Sequence, residues 1–225
     1  MRGLRAGDWV STERIRVYAW ILIVFWGIAI IGLVVTSADG LDAWGRPLGT
    51  DFANVWSAGV MALDGQALSV YDPSAHYTTQ KIAFASPDVP YYGWHYPPFF
   101  LLIAAALAVL PYGGALVAWM ALTLPCYVAV LRRIQPGRLT LLVAIAFPGA
   151  MVNLVHGQNG FLSAALMGAG LVLLDRRPVL AGGLLGLLSY KPQFGLLIPL
   201  VLIATARWRA FMAATVTVLV LVVLS

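Results

Sequence analysis

Charge is what this chain has least of. Asp, Glu, Lys and Arg make up 10% of its 225 residues, and 61% are hydrophobic. Soluble domains carry about 25% charged residues, so a soluble globular protein is excluded. Cysteine is nearly missing as well. Cys126 stands alone inside an apolar run, which excludes a disulfide framework and a cysteine metal site and leaves a small packing residue as its ordinary role. No glycine-rich phosphate loop occurs, and no basic patch with interleaved aromatics. The net charge of +5 therefore does not point to nucleic acid, since arginines flanking apolar runs are the common topology signal of membrane proteins. No metal and no cofactor is expected.

What is abundant is hydrocarbon-length apolar sequence. Several runs reach the roughly 18–20 residues needed to cross about 30 Å of bilayer core. The fold class is all-α, a polytopic integral membrane protein. Residues 1–16 form a short Arg-rich tail (Arg2, Arg5, Arg14, Arg16), expected on the cytoplasmic side. The first helix is expected over 17–36. It is too long for a signal-peptide core and lacks a small-residue cleavage site. Residues 37–98 form the one long polar passage, and 99–225 return to membrane helices. The chain reads as one membrane domain, and its end inside an apolar helix suggests the N-terminal part of a longer protein.

The polar passage holds six of the nine acidic residues, namely Asp39, Asp42, Asp51, Asp64, Asp72 and Asp88. With the N-terminal tail inside, it is an outer loop. Phe52, Val55, Trp56, Val60 and Leu63 recur at helical spacing, predicting an amphipathic helix that ends near Gly65 and lies in the bilayer interface. A second short helix is expected over 73–85. The segment from Pro87 to Pro98 is rich in Tyr and Pro and reads as strand-like, at the headgroup layer. Beyond it, two helices with a turn at 110–114 are expected up to Leu131. Two full crossings there would place Arg132 and Arg133 outside, against the charge rule. Residues 139–152 read as one short apolar piece and 153–159 (NLVHGQN) as a polar break.

Some residues in this pattern can carry chemistry. Asp51 follows Gly49-Thr50 at the start of the amphipathic helix, where it is either a helix cap or a working carboxylate. Asp39 and Asp42 suit a solvated turn, and Asp72 an Asx turn. His95 and Tyr96 lead into a helix through Pro97-Pro98. His95 can bond a phosphate or a sugar hydroxyl, or serve simply as an interfacial residue. His156, Gln158 and Asn159 interrupt apolar sequence at a cost in free energy unless partners satisfy them. Gln and Asn suit sugar hydroxyls. Lys191, with Gln193 close behind it, stands among apolar residues. It can stabilise a departing phosphate or extend to the interface.

The runs GTDFANVW, YD, WHYPPFFLL, HGQNGFL, LLDRRP and YKPQFGLLIPL, in that order, resemble glycosyltransferase family 87. The resemblance covers nearly the whole chain from about Val17. It implies a GT-C-like helical bundle and a hexosyltransferase, typified by mannosyltransferases that use polyprenyl phosphate mannose. It also implies an acidic catalytic base in the first outer loop, a position that Asp51 matches. His95, Tyr96, His156, Gln158, Asn159, Lys191 and Gln193 become substrate-binding residues. The implied partners are a polyprenyl-phosphate sugar donor, a glycan or glycolipid acceptor and membrane lipids, at the plasma membrane with the active side outward. The competing reading is a transporter or flippase for a lipid-linked or small polar solute, suggested by the broken helices and the buried-looking lysine.

Overall fold

A computed structural model describes residues 11–225. Arg2 and Arg5 of the basic tail lie outside the described residues. Helix α1 spans Thr12–Val35. It starts five residues before the apolar run because Ser11 caps it, its hydroxyl accepting from the Arg14 amide at 3.3 Å, with Glu13 in the first turn. Both features favour a helix N-terminus, so Arg14 and Arg16 ride on the helix itself. Of its residues only Ala19 is buried.

The polar passage opens with a knot of turns. Asp42 is buried, not solvated. Its carboxylate accepts from the Trp44 and Arg46 amides and pairs with the Arg46 guanidinium at 2.9 Å. Burial pushes its acidity down, but the bonds from Arg46 and Trp44 outweigh that and hold the carboxyl below the usual range. Helix α2 spans Thr50–Leu63, a 3-10 turn covers Ala67–Tyr71, and α3 spans Pro73–Ala83. Asp72 caps α3 by accepting from the Ser74 amide. The Tyr- and Pro-rich segment that follows forms no strand; its Tyr92 amide and carbonyl instead bond the buried Gln80 side chain.

The apolar face of α2 covers protein. Phe52, Ala53, Val55, Ala58 and Met61 are buried, and α2 packs along α4, Phe100–Ala108. Of the face assigned to the bilayer, Phe52 and Val55 are thus covered by the same chain, Trp56 and Val60 are half-buried, and Leu63 stays exposed. Gly59 and Ala104 let the two helices approach closely: a Cβ at Gly59 would lie 2.1 Å from the Ala104 carbonyl oxygen.

The remaining helices are α5 (Tyr112–Ile134), α6 (Arg138–Ala146), α7 (Pro148–His156), α8 (Gly160–Leu173), α9 (Pro178–Leu187), α10 (Pro192–Ala204) and α11 (Trp208–Val223). A 3-10 turn at Leu188–Tyr190 links α9 to α10. By length and composition α1 and α5 can each cross a membrane, and α6 with α7, bent by 53°, can form a third, broken span. The expected single piece at 139–152 is therefore two helices. Pro148 begins the second, since proline fits a first helical position and breaks an interior. Asn153 to His156 form the last turn of α7, so the polar break shrinks to Gly157–Asn159.

Helix α4 resolves the charge conflict. Its nine residues rise about 13 Å, too little to cross. Helix α5 therefore starts on the same side as the polar passage, where the Tyr112 hydroxyl donates to the Leu48 carbonyl. Arg132 and Arg133 are its last turn, on the opposite side. Arg133 and Leu173, at the end of α8, line one cavity, and Asp175 pairs with Arg207. The basic turns after α5, α8 and α10 thus share one end, and the polar passage with Gly157–Asn159 occupies the other.

Candidate functional site

Two glycines bring the site together. Gly49 precedes α2 and Gly157 ends α7, both left-handed, with φ of 68° and 61°. A Cβ on Gly157 would lie 2.6 Å from the Phe52 Cβ and 3.4 Å from the Gly49 Cα. No side chain fits between these turns, and glycine alone adopts their φ at little cost. Residues about a hundred positions apart are pressed backbone to backbone.

On either side of this contact the flanking side chains meet. Thr50 Oγ1 and His156 Nδ1 are hydrogen-bonded at 2.6 Å. Gln158 Nε2 donates to Asp51 Oδ2. Asp51 is half-buried in the first turn of α2, where a negative charge is favoured by the helix dipole. It does not cap the helix: the cap position belongs to Gly49, without a side-chain bond. Among the described residues Asp51 Oδ1 has no hydrogen-bond partner. The carboxylate is held by one oxygen and presents the other.

A second layer continues from Asn159, which is buried. Its Nδ2 donates to the Tyr96 hydroxyl at 2.8 Å. Its carbonyl accepts from the Ser163 and Tyr190 hydroxyls at 3.1 and 3.3 Å, and those two hydroxyls are 2.7 Å apart. Phe100 stacks on Tyr190 with centroids 4.9 Å apart and packs at a tilt of 31° against Tyr96, centroids 4.7 Å apart. Burial pushes the Tyr96 hydroxyl up, the Asn159 bond pulls it down, and the Asp51 charge pushes it up again, for a net rise. Tyr92 is also raised, by burial first and by Asp51 and Asp42 against the opposing Arg46. Both phenols therefore lie within electrostatic reach of Asp51.

Of the residues singled out in the sequence, the fold joins Asp51, Tyr96, His156, Gln158 and Asn159 in one cluster. Lys191 follows Tyr190 directly, at the head of α10, so its backbone stands at the same end. It is half-buried and makes no ion pair among the described residues. His95 and Gln193 are exposed, and the His95 ring folds back toward Gly93. These two are not drawn into the cluster.

Sequence reading missed Thr50, Ser163 and Tyr190. Tyr190 stands next to the lysine, and a buried tyrosine hydroxyl needs a partner, which is a usable signal. Ser163 carried none. His76 was missed too. It is fully buried on α3 and donates from Nε2 to the Asn54 carbonyl at 3.3 Å, while Asn54 Nδ2 donates to the Asp51 carbonyl at 2.9 Å. Burial pulls the His76 imidazole below its usual 6.5, against the Asn54 bond.

Among the described residues no group of three or more His, Cys, Asp or Glu side chains is placed to hold a metal. What the cluster offers is a positioned carboxylate among amide, hydroxyl and imidazole groups, the equipment for moving a proton at an oxygen of a polar ligand.

Searches of curated proteins and of solved structures return no match. The sequence model of glycosyltransferase family 87 matches residues 94–225, a stretch that holds Tyr96, the His-Gly-Gln-Asn turn and Lys191 but begins after Asp51. That match spans more than half of the chain, and the all-α membrane architecture agrees with it: this chain belongs to glycosyltransferase family 87.

Proposed function

We propose that this membrane glycosyltransferase moves a hexose, mannose first among the choices, from a polyprenyl-phosphate donor to an acceptor hydroxyl at the outer face of the membrane. Asp51 is the general base. It takes the acceptor proton at Oδ1 as that hydroxyl attacks the anomeric carbon, and the bond to the lipid phosphate breaks with inversion. Lys191 stabilises the phosphate as it leaves. Gln158 holds Asp51, and Asn159 and Tyr96 bond the sugar or its acceptor. The whole chain works as one membrane domain.

The observation that carries this reading is the junction of Gly49-Thr50-Asp51 with His156-Gly157-Gln158. It puts a fixed carboxylate beside amide, hydroxyl and imidazole side chains suited to sugar hydroxyls, at the end of the bundle opposite the arginines. A further feature supports a lipid donor. A cavity of about 330 Å³ opens beside the Lys191 turn, lined by Ser189, Phe194, Pro199, Leu202, Phe211 and Leu219. It is apolar enough to hold part of an isoprenoid chain.

The test is Asp51→Asn, assayed for sugar transfer from polyprenyl-phosphate hexoses in proteoliposomes. The expected result is a loss of turnover of roughly a hundredfold or more, with the donor still bound. Undiminished turnover removes Asp51 from the chemistry. Solute flux without a transferred sugar would support the transport reading instead.

A further inference from the structure

The end of the bundle opposite Asp51 carries a second arrangement. The turn after α8 reads Asp175-Arg176-Arg177-Pro178, and the turn after α10 reads Ala206-Arg207-Trp208-Arg209. An ion pair between Arg207 and Asp175 ties them together. Between them is a cavity of about 350 Å³, lined by Asp175, Pro178, Arg207, Trp208 and Arg209. Arg176, Arg177 and Arg209 have no carboxylate partner among the described residues. One carboxylate against four guanidiniums leaves this surface with an excess of positive charge.

A second cavity, of about 760 Å³, runs between α9 and α11. Val179, Leu180, Gly183, Met212 and Val216 line it, and it shares Trp208 and Arg209 with the first. Its walls are open: Val179 is 65% exposed and Met212 58%. Gly183 keeps it deep, since a Cβ there would meet only Thr217 Oγ1, at 3.7 Å. The two cavities thus meet at Trp208 and Arg209, guanidinium on one side and apolar walls on the other, with an indole at the boundary.

We propose that this cleft binds one anionic phospholipid. The phosphate sits against Arg207 and Arg209, the glycerol region against Trp208, and an acyl chain lies along Val179, Gly183, Met212 and Val216. The arginine-in topology rule accounts for basic turns but not for an apolar groove that starts beneath them. A free phosphate would leave the groove uncovered. A zwitterionic lipid would bring its own cation up to the arginines. Only an anionic amphiphile matches both halves, and basic pockets between membrane helices suit such headgroups. The proposal does not depend on the assignment of Asp51.

The experiment measures lipid retention. The chain is placed in nanodiscs of mixed phosphatidylcholine and phosphatidylglycerol, released into detergent, and its bound lipids are counted by native mass spectrometry. Wild type is expected to keep phosphatidylglycerol in preference to phosphatidylcholine. The double variant R207Q/R209Q, at two exposed positions, is expected to weaken that retention roughly 30-fold. Gly183→Leu, which fills the groove and leaves the charges, is expected to weaken it as well; if that variant fails to fold, the arginine variant decides alone. Equal retention of the two lipids by wild type, or unchanged retention by R207Q/R209Q, overturns the proposal. So does thermal protection by inorganic phosphate equal to that by phosphatidylglycerol, which would mark a free-anion site. So, too, does a second copy of the chain in the groove, seen, in a Cys126→Ser background, as a Met212→Cys cross-link in lipid-free detergent that phosphatidylglycerol leaves intact.

Discussion

Gly157 is the residue on which the geometry around Asp51 turns. It is left-handed and has no room for a Cβ beside Phe52. Gly157→Ala should cost about 1–3 kcal/mol through backbone strain, and more through the displaced Phe52. The turn would move away from Gly49 and release the Gln158–Asp51 bond. The expected outcome is a lower melting temperature in detergent together with loss of transferase activity. An active, fully stable variant would show that the contact does not matter. Gln158→Ala separates the two effects, since it removes the bond but leaves the turn, and should lower turnover while leaving the melting temperature almost unchanged.

His76 predicts a pH dependence. Its folded-state value lies below the ordinary 6.5, so between the two values the unfolded chain binds more protons. Stability is full above the unfolded value and is lost as pH falls through about 6.5 toward the folded value. Because His76 bonds Asn54, and Asn54 bonds the Asp51 carbonyl, loosening begins behind the proposed base. Melting temperature measured against pH should fall below about pH 6.5, and His76→Gln should flatten that part of the curve. An unchanged curve would place the acid sensitivity elsewhere, for example at Asp42, whose lowered value makes its own contribution disappear only at lower pH.

At the scale of elements, the α2–α4 crossing is a close one, with the Gly59 backbone set against the Ala104 carbonyl. Gly59→Leu would drive a side chain into the Ala104 carbonyl. Overpacking of this kind costs about 1–3 kcal/mol. The expected result is increased protease sensitivity of the 37–98 passage, with the helices from α5 onward still protected. A variant as resistant as wild type would mean that α2 does not rest on α4. These elements also show how far the sequence can be read. The start of α2 and its end near Gly65 were legible from apolar spacing, and α3 from its Asp-Pro start. What covered their apolar faces was not, since spacing reports that a face must be buried but not against what. The bend between α6 and α7 was hidden because Phe147-Pro148 breaks an apolar stretch without any polar signal.

For the whole molecule, the separation of charge and site is the main feature. The basic turns share one end, and Asp51 with its partners occupies the other. If the arginines face the cytoplasm, Asp51 faces outward. In a Cys126→Ser background, Asp64→Cys should react in intact cells with a membrane-impermeant maleimide, and Gln135→Cys only after permeabilisation. The reverse pattern would invert the protein and remove the outer-face reaction.

Composition alone determined that this is a membrane protein, because so few charges and so much apolar length leave no aqueous fold. Local pattern picked out the His-Gly-Gln-Asn turn, because polar groups in apolar sequence are costly and draw notice, whereas Asp51 and Tyr96 stand in the polar passage and took their roles from the family resemblance. Tertiary structure alone decided that Gln158 reaches Asp51, that Tyr190 and Ser163 hold Asn159, and that His95 and Gln193 stand apart. The reason is physical: a polar residue's cost is visible where it stands in the chain, but the partner that offsets it is set by which backbones can touch. Here that was settled by two glycines more than a hundred residues apart.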